Sequence, residues 1–182
     1  MSKRIYIIRH CEAESQSPEA KLTEEGLIQA NILADFLSNI PIGRVISSPF
    51  LRAKQTIRPF AGNRNLKIEE DHRLSERLLS SKPLPDWLDK LETTFNDMDV
   101  KYEGGESSNE AMSRIVNVVE DISASHIKNT IIVTHGNLMS LLLNYYDSQF
   151  GFKQWKSLSN PDVYLLSVSK EVFNLKHVWK SD

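Results

Sequence analysis

Short, unbroken apolar runs alternate along this chain with longer stretches in which apolar residues return every three or four positions. Ile5-Tyr6-Ile7-Ile8 is short, β-branched and apolar at every position, which predicts a strand buried on both faces. Leu27, Ala30, Leu33, Ala34 and Leu37 recur at helical spacing. Thr23 is the predicted N-cap of that helix, with Glu24 and Glu25 in the first turn, where carboxylates suit the helix dipole. Arg44-Val45-Ile46-Ser47 reads as a second strand. Ser48 before Pro49 predicts another helix start, a capping hydroxyl and then proline at the first helical position, with Arg52 in the first turn.

The segment from about 63 to 106 is less regular. Pro83 and Pro85 precede a predicted helix carrying Trp87, Leu88, Leu91 and Phe95. Gly104-Gly105 marks a loop, and Ser107 with Glu110 forms a capping box. Met112, Ile115, Val118, Val119 and Ile122 give the helix that follows an apolar stripe. Thr130 to Thr134 is a third buried strand, running directly into His135-Gly136-Asn137 and a Leu-rich helix. Asn160-Pro161-Asp162 turns the chain into two last strand-like runs, near 163–168 and 172–179. The order β-α-β-α-irregular-α-β-α-β-β predicts the α/β class: a three-layer α/β/α arrangement around a mostly parallel sheet, expected as a single domain over residues 1–182.

Composition narrows the function classes. With 22 basic and 24 acidic residues among 182, no broad field that would gather nucleic acid or an anionic membrane is expected. No apolar run reaches the roughly 18 residues that a spanning helix needs, and the Met-Ser-Lys-Arg start leaves no room for a signal sequence before the first strand. The lone cysteine, Cys11, has no internal disulfide partner, so a cytoplasmic location is expected.

The chemistry gathers at three strand ends. The first strand ends in Arg9-His10, the second runs into Ser48 and Arg52, and the third ends at His135. Open α/β sheets bind ligands beyond the carboxyl ends of their strands, and the helices that follow turn positive N-termini toward the same edge. Two arginines and two histidines there suit a compact anion such as phosphate. Arginine's planar fork bonds two phosphoryl oxygens and stays charged. A histidine among cations keeps one ring nitrogen unprotonated and nucleophilic. Phosphoryl transfer needs in-line positioning and charge neutralisation above all, so these residues can suffice without metal. Glu76 is a candidate acid/base, with Glu12, Glu14 and Glu106 in reserve, and spacing alone does not select it from the 24 acidic residues. A metal site built on His10, Cys11, Glu12 and His135 fits no familiar zinc spacing, and the adjacent arginines would repel a cation. No metal and no cofactor are expected.

These segments resemble the histidine phosphatase superfamily, which includes the cofactor-dependent phosphoglycerate mutases. Its opening Arg-His-Gly-Glu is matched by Arg9-His10-Cys11-Glu12, and its Leu-Thr-x-x-Gly by Leu22 to Gly26 with Gln29-Ala30 following. Its Ser-Ser-Pro-x-x-Arg-Ala-x-Gln-Thr is matched from Ser47 through Thr56. Leu74-Ser75-Glu76-Arg77, Gly105-Glu106-Ser107 and Thr134-His135-Gly136-Asn137 match three further segments in order, so the likeness spans about residues 4 to 145. It implies a phosphoglycerate mutase-like fold and His10 as the residue that carries the phosphoryl group. It also implies a phosphate pocket of Arg9, Arg52 and His135, Glu76 as acid/base, and contacts from Gln16 and Asn137. Two departures stand out: Cys11 in place of glycine, and Leu78-Leu79 where the family often has aromatic and glycine residues.

The expected activity is hydrolysis of a phosphate monoester of a small metabolite through a phosphohistidine. The alternatives are mutase-type transfer to a second hydroxyl, or a regulatory protein that binds or dephosphorylates a phosphorylated partner. Selectivity is expected from the irregular region, with Arg73, Arg77 and Lys82 as its basic candidates. Nothing in the pattern selects an oligomeric state.

Overall fold

The computed structural model describes residues 2–170 and 172–180. Its strands are β1 (Lys3–Arg9), β2 (Arg44–Ser47), β3 (Ile68–Glu70), β4 (Asn129–Thr134), β5 (Asp162–Ser169) and β6 (Val172–His177). Its helices are α1 (Glu24–Leu37), α2 (Leu51–Asn63), α3 (Trp87–Asn96), α4 (Ser108–Ala124), α5 (Gly136–Tyr146) and α6 (Phe152–Ser157), with a 3-10 turn at His72–Leu74. The strands form one sheet in the order β3-β2-β4-β1-β5-β6. The first four are parallel neighbours, whereas β5 and β6 run antiparallel.

The apolar runs explain the layers. Side chains alternate across a strand, so Ile5 and Ile7 of β1 join Ile46 and Ile132 in a core beneath α4 and α5. Tyr6 and Ile8 join Val45, Ile131 and Val133 beneath α1 and α2 on the other face. Each fully buried Leu or Ile of these clusters contributes roughly 1.5–3 kcal/mol by leaving water. With both faces covered, the fold is the α/β sandwich that the pattern predicts.

Three local expectations change, and one further helix appears. Leu27 is 48% exposed, because α1 turns Gly26, Ala30, Leu33, Ala34 and Leu37 inward and Leu27 lies beside that stripe. Ser48 does not cap α2, whose N-cap is Phe50. β3 lies within the region read as irregular, held at the sheet edge by parallel pairing to β2 and by an Arg44–Glu69 ion pair at 2.7 Å. α6 follows Gly151, where the Gln154 side chain accepts the Gly151 N–H at 3.0 Å.

Candidate active site

Sheet register sets the site. Arg9 of β1 pairs with Thr134 of β4 on one side and Asp162 of β5 on the other, and Ser47 of β2 pairs with Val133. The next residue on each parallel strand, His10, Ser48 and His135, therefore leaves the sheet at one level. All three are buried.

His10 has its proton assigned by its partners. Its Nδ1 lies 2.6 Å from the Cys11 carbonyl, which can only accept, so Nδ1 carries the hydrogen. Its Nε2 receives the Arg52 Nε–H at 3.2 Å, so that nitrogen presents a lone pair. Burial pushes His10 down to about 3, the Cys11 carbonyl resists the shift, and the charges of Arg52 and Arg9 add to it. The ring is therefore neutral over the physiological range.

Arg52 is fully buried, with Nη1 donating to the carbonyls of Gln16 at 3.2 Å and Ser17 at 2.7 Å, and its guanidinium 5.0 Å from the Phe50 ring. Arg9 donates from Nη1 to the Leu158 carbonyl at 2.9 Å. Burial lowers both arginines from their ordinary range, and the Glu76 charge offsets part of that for each. Gly136 makes room for Arg9: a Cβ there would lie 3.0 Å from Arg9 Nε.

His135 sits 5.1 Å from His10 between ring centroids, and its Nε2 meets Ser48 Oγ at 2.7 Å. Among the described residues Ser48 Oγ makes only this bond and one from the Phe50 N–H at 3.2 Å, so His135 Nε2 is the acceptor its hydroxyl proton has, which leaves the ring hydrogen on Nδ1. Burial, then the neighbouring His10 and arginines, hold His135 well below its ordinary range.

Among the described residues, six buried side-chain polar atoms lack a hydrogen-bond partner, and four belong here: Arg9 Nε, Arg52 Nη2, His135 Nδ1 and Asn137 Oδ1. An unpaired buried donor costs about 1–3 kcal/mol. Three donors left unsatisfied around one lone pair make a cradle for an anion.

Glu76 reaches this edge through a chain of anchors. Thr134 Oγ1 donates to the Leu74 carbonyl at 2.8 Å, and Arg114 donates to the Arg73 carbonyl at 2.7 Å. Arg77 is clamped to the Glu106 carbonyl, Thr94 and Ser108. The Glu76 carboxylate accepts the backbone N–H groups of Asn137 at 3.2 Å and Leu138 at 3.0 Å. The first turn of α5 therefore points its free N–H groups at Glu76, where the sequence suggests that they face phosphate directly.

Gln16 is exposed and lines the cavity above the cradle together with Arg9, Glu76, Gly136 and Asn137. Asn137 is buried. Of the predicted basic candidates, none is free: Arg73 pairs with Asp71 and Asp121, Lys82 pairs with Glu103, and Arg77 is turned inward. Glu106 is held by Arg114 at 2.8 Å and Glu12 by the Thr23 hydroxyl at 2.8 Å. Among the described residues, no three His, Cys, Asp or Glu side chains form a metal-ligand set.

The histidine phosphatase superfamily (branch 1) matches the chain over residues 5–180. The chain belongs to that superfamily. A curated relative, phosphoserine phosphatase 1 of Hydrogenobacter thermophilus, is 25% identical over 145 residues, covering 71% of this chain and 69% of the relative. The mycobacterial glucosyl-3-phosphoglycerate phosphatase superposes with a TM-score of 0.79 at 21% identity, each chain covered in full. YhfR of Bacillus stearothermophilus superposes with a TM-score of 0.78 at 22% identity, with 96% of each chain covered. These two share the fold.

Within the histidine phosphatase pattern, residues that look like mere motif have visible jobs. Gln29 accepts the Glu12 N–H, Gln55 the Leu22 N–H and Thr56 the Cys11 N–H, each within 2.9 Å, which fixes the loop after His10. Ser48, which the sequence suggests as a helix cap, instead orients His135. Asn160 donates to the His10 carbonyl at 2.8 Å from a segment whose sequence reads only as a turn. A polar residue just ahead of an apolar strand is its only signal in the sequence.

Cys11, the departure from glycine, is not strained. Among the described non-glycine residues only Asn65 and Lys170 take positive φ. Its side chain is fully buried against Leu22, Ala30 and Ala13, and burial pushes the thiol up to about 12. Thiolate is the reactive form. Native enzyme treated with iodoacetamide near pH 8 should stay unlabelled and fully active, whereas denatured chain should label once; prompt labelling of the native protein would contradict this.

Proposed function

We propose that this chain is a phosphomonoesterase that works through a phosphohistidine on His10. The carrying observation is the Nε2 lone pair of His10, fixed by two hydrogen bonds and ringed by the unpartnered donors of Arg9, Arg52 and His135. In the first step the Arg52 Nε–H passes from His10 Nε2 to a phosphoryl oxygen, the freed Nε2 lone pair bonds to phosphorus as the ester P–O bond breaks, and Glu76 gives its proton to the leaving oxygen. The Cys11 carbonyl, facing Nδ1–H, stabilises the positive charge that forms on the ring. In the second step Glu76 takes a proton from water, the water oxygen bonds to phosphorus, and the N–P bond breaks to free phosphate and His10. Arg9 and Arg52 neutralise the non-bridging oxygens throughout, as positioning and charge stabilisation demand. Gln16 and Asn137 contact the bound ester from the cavity lining. The relatives' names, phosphoserine phosphatase and glucosyl-3-phosphoglycerate phosphatase, support a small phosphorylated metabolite as substrate. No described helix is long and apolar enough to cross a membrane, and one buried cysteine suits a reducing compartment, so the cytoplasm is the proposed location.

Rapid quenching of enzyme with labelled phenyl phosphate tests the mechanism. Acid-labile, alkali-stable label should map to the peptide containing His10. Full hydrolysis with no such label under burst conditions, or label on another residue, would overturn the covalent route.

A further inference from the structure

Above the phosphate cradle lies a cavity of about 390 Å³, within the roughly 300–1,000 Å³ usual for small-molecule sites. Its inner end is Arg9, Glu76 and Asn137, and its outer wall is Leu79, Trp87, Leu91 and Trp155. That wall is braced. Trp155 of α6 stacks on Phe152 at 5.4 Å and 21°, and Phe152 meets Phe95 of α3 edge-on at 5.9 Å. Trp87, on the same helix as Phe95, is 51% exposed, an apolar surface left facing solvent beside the site.

The charges of this cavity are equally specific. Among the described residues its only lining cations are Arg9, which serves the phosphoryl group, and Arg77, whose guanidinium is turned to the buried Thr94 and Ser108 and the Glu106 carbonyl. Glu76 contributes the negative charge. A leaving group bearing its own carboxylate or second phosphate would meet tryptophan and glutamate, with no free cation among the described lining residues to receive it. A flat apolar ring would cover both tryptophans and displace water from them.

We infer that the site selects monoesters of alcohols carrying a neutral apolar ring, and disfavours leaving groups with a second anion. This rests on the phosphomonoesterase reading and extends it to the substrate class. It also disfavours mutase-type transfer, which has to hold a bisphosphate in the same cavity.

The test compares benzyl phosphate, methyl phosphate, phosphoserine and 3-phosphoglycerate by released phosphate. Benzyl phosphate and phosphoserine are both esters of primary alcohols, so leaving-group chemistry does not bias the comparison. Benzyl phosphate should exceed phosphoserine and 3-phosphoglycerate in kcat/KM by about tenfold or more, as 1.4 kcal/mol of ring contact gives. Trp87→Ala and Trp155→Ala should each collapse the benzyl-to-methyl ratio several-fold, and Trp155→Phe should restore most of it, with circular dichroism confirming that the variants fold. Calorimetric binding of benzylphosphonate against phosphonoacetate reads the same preference without turnover. If no ester releases phosphate, the phosphomonoesterase reading fails, and the phosphonate comparison still decides the preference. Equal or better use of the carboxylate-bearing esters, or a benzyl-to-methyl ratio unmoved in both alanine variants, would overturn the inference.

Discussion

His10→Ala is expected to lower kcat by roughly 10⁴-fold or more on every phosphate ester, because removing a group that bonds to the reacting atom disables the whole constellation. No neighbour can replace it. On His135 the unpartnered nitrogen, Nδ1, carries the ring hydrogen while Nε2 accepts from Ser48 Oγ at 2.7 Å, and the Cys11 thiol is buried and held protonated. The variant should still bind inorganic phosphate, since Arg9 and Arg52 are held by main-chain carbonyls and owe nothing to the His10 ring except one Arg52 hydrogen bond. A loss of activity with retained phosphate binding separates chemistry from collapse of the pocket. The same substitution should change the pH dependence of stability. His10 is lowered from 6.5 to about 3, so as pH falls through that window the unfolded chain takes up a proton that the folded chain refuses. The stability present above pH 6.5 is therefore lost toward pH 3. His10→Ala removes that contribution, so its denaturation midpoints should fall less steeply with acid than those of the parent. Activity surviving within tenfold of the parent would end the case for His10 as nucleophile.

What is legible in the sequence follows from the physics of each segment. β1 and β4 each carry an unbroken apolar run, Ile5 to Ile8 and Ile131 to Val133, because both faces are covered, so the residue pattern alone places their ends, and with them His10 and His135, on one edge of the sheet. Arg52 follows from the spacing after β2. Ser48-Pro49 misleads because a hydroxyl before proline reads as a helix cap, while here the hydroxyl faces His135 and the helix begins later. β3 is invisible since a three-residue edge strand, Ile68 to Glu70, pairs on one side only and carries two glutamates. α6 spans six residues and has no fully buried face from which a period could be read. Arg77 looks like a substrate base because a charge in sequence says nothing of direction. Its inward clamp on Thr94 and Ser108 is a tertiary fact. The same gap hides the aromatic wall, which forms only when α6 carries Trp155 and Phe152 to the α3 aromatic Phe95.

Glu76→Gln is expected to lower kcat by about 10²–10⁴-fold on alkyl phosphates, the usual worth of a positioned acid/base. A poor leaving group such as an alkoxide requires the proton that Glu76 supplies, whereas nitrophenolate leaves without one. The loss on p-nitrophenyl phosphate should therefore be far smaller in the first step, and the covalent intermediate should accumulate because the second step still needs a base for water. Quench-flow should then show a burst of nitrophenol in the variant. This pattern distinguishes chemistry from a structural role, which is a real competitor here. Glu76 also accepts N–H bonds from Arg77, Asn137 and Leu138, and glutamine keeps only one acceptor oxygen for them. Facing its NH₂ group toward such donors costs about 1–3 kcal/mol and would loosen the first turn of α5. A structural defect of that kind lowers the rate alike for every leaving group and lowers the melting temperature in parallel. Equal losses in the first-step rate on alkyl and nitrophenyl esters, with no burst of nitrophenol, would thus reduce Glu76 to a cap for α5. Glu14 would then be the remaining reserve, since Glu12 and Glu106 are tied to Thr23 and Arg114.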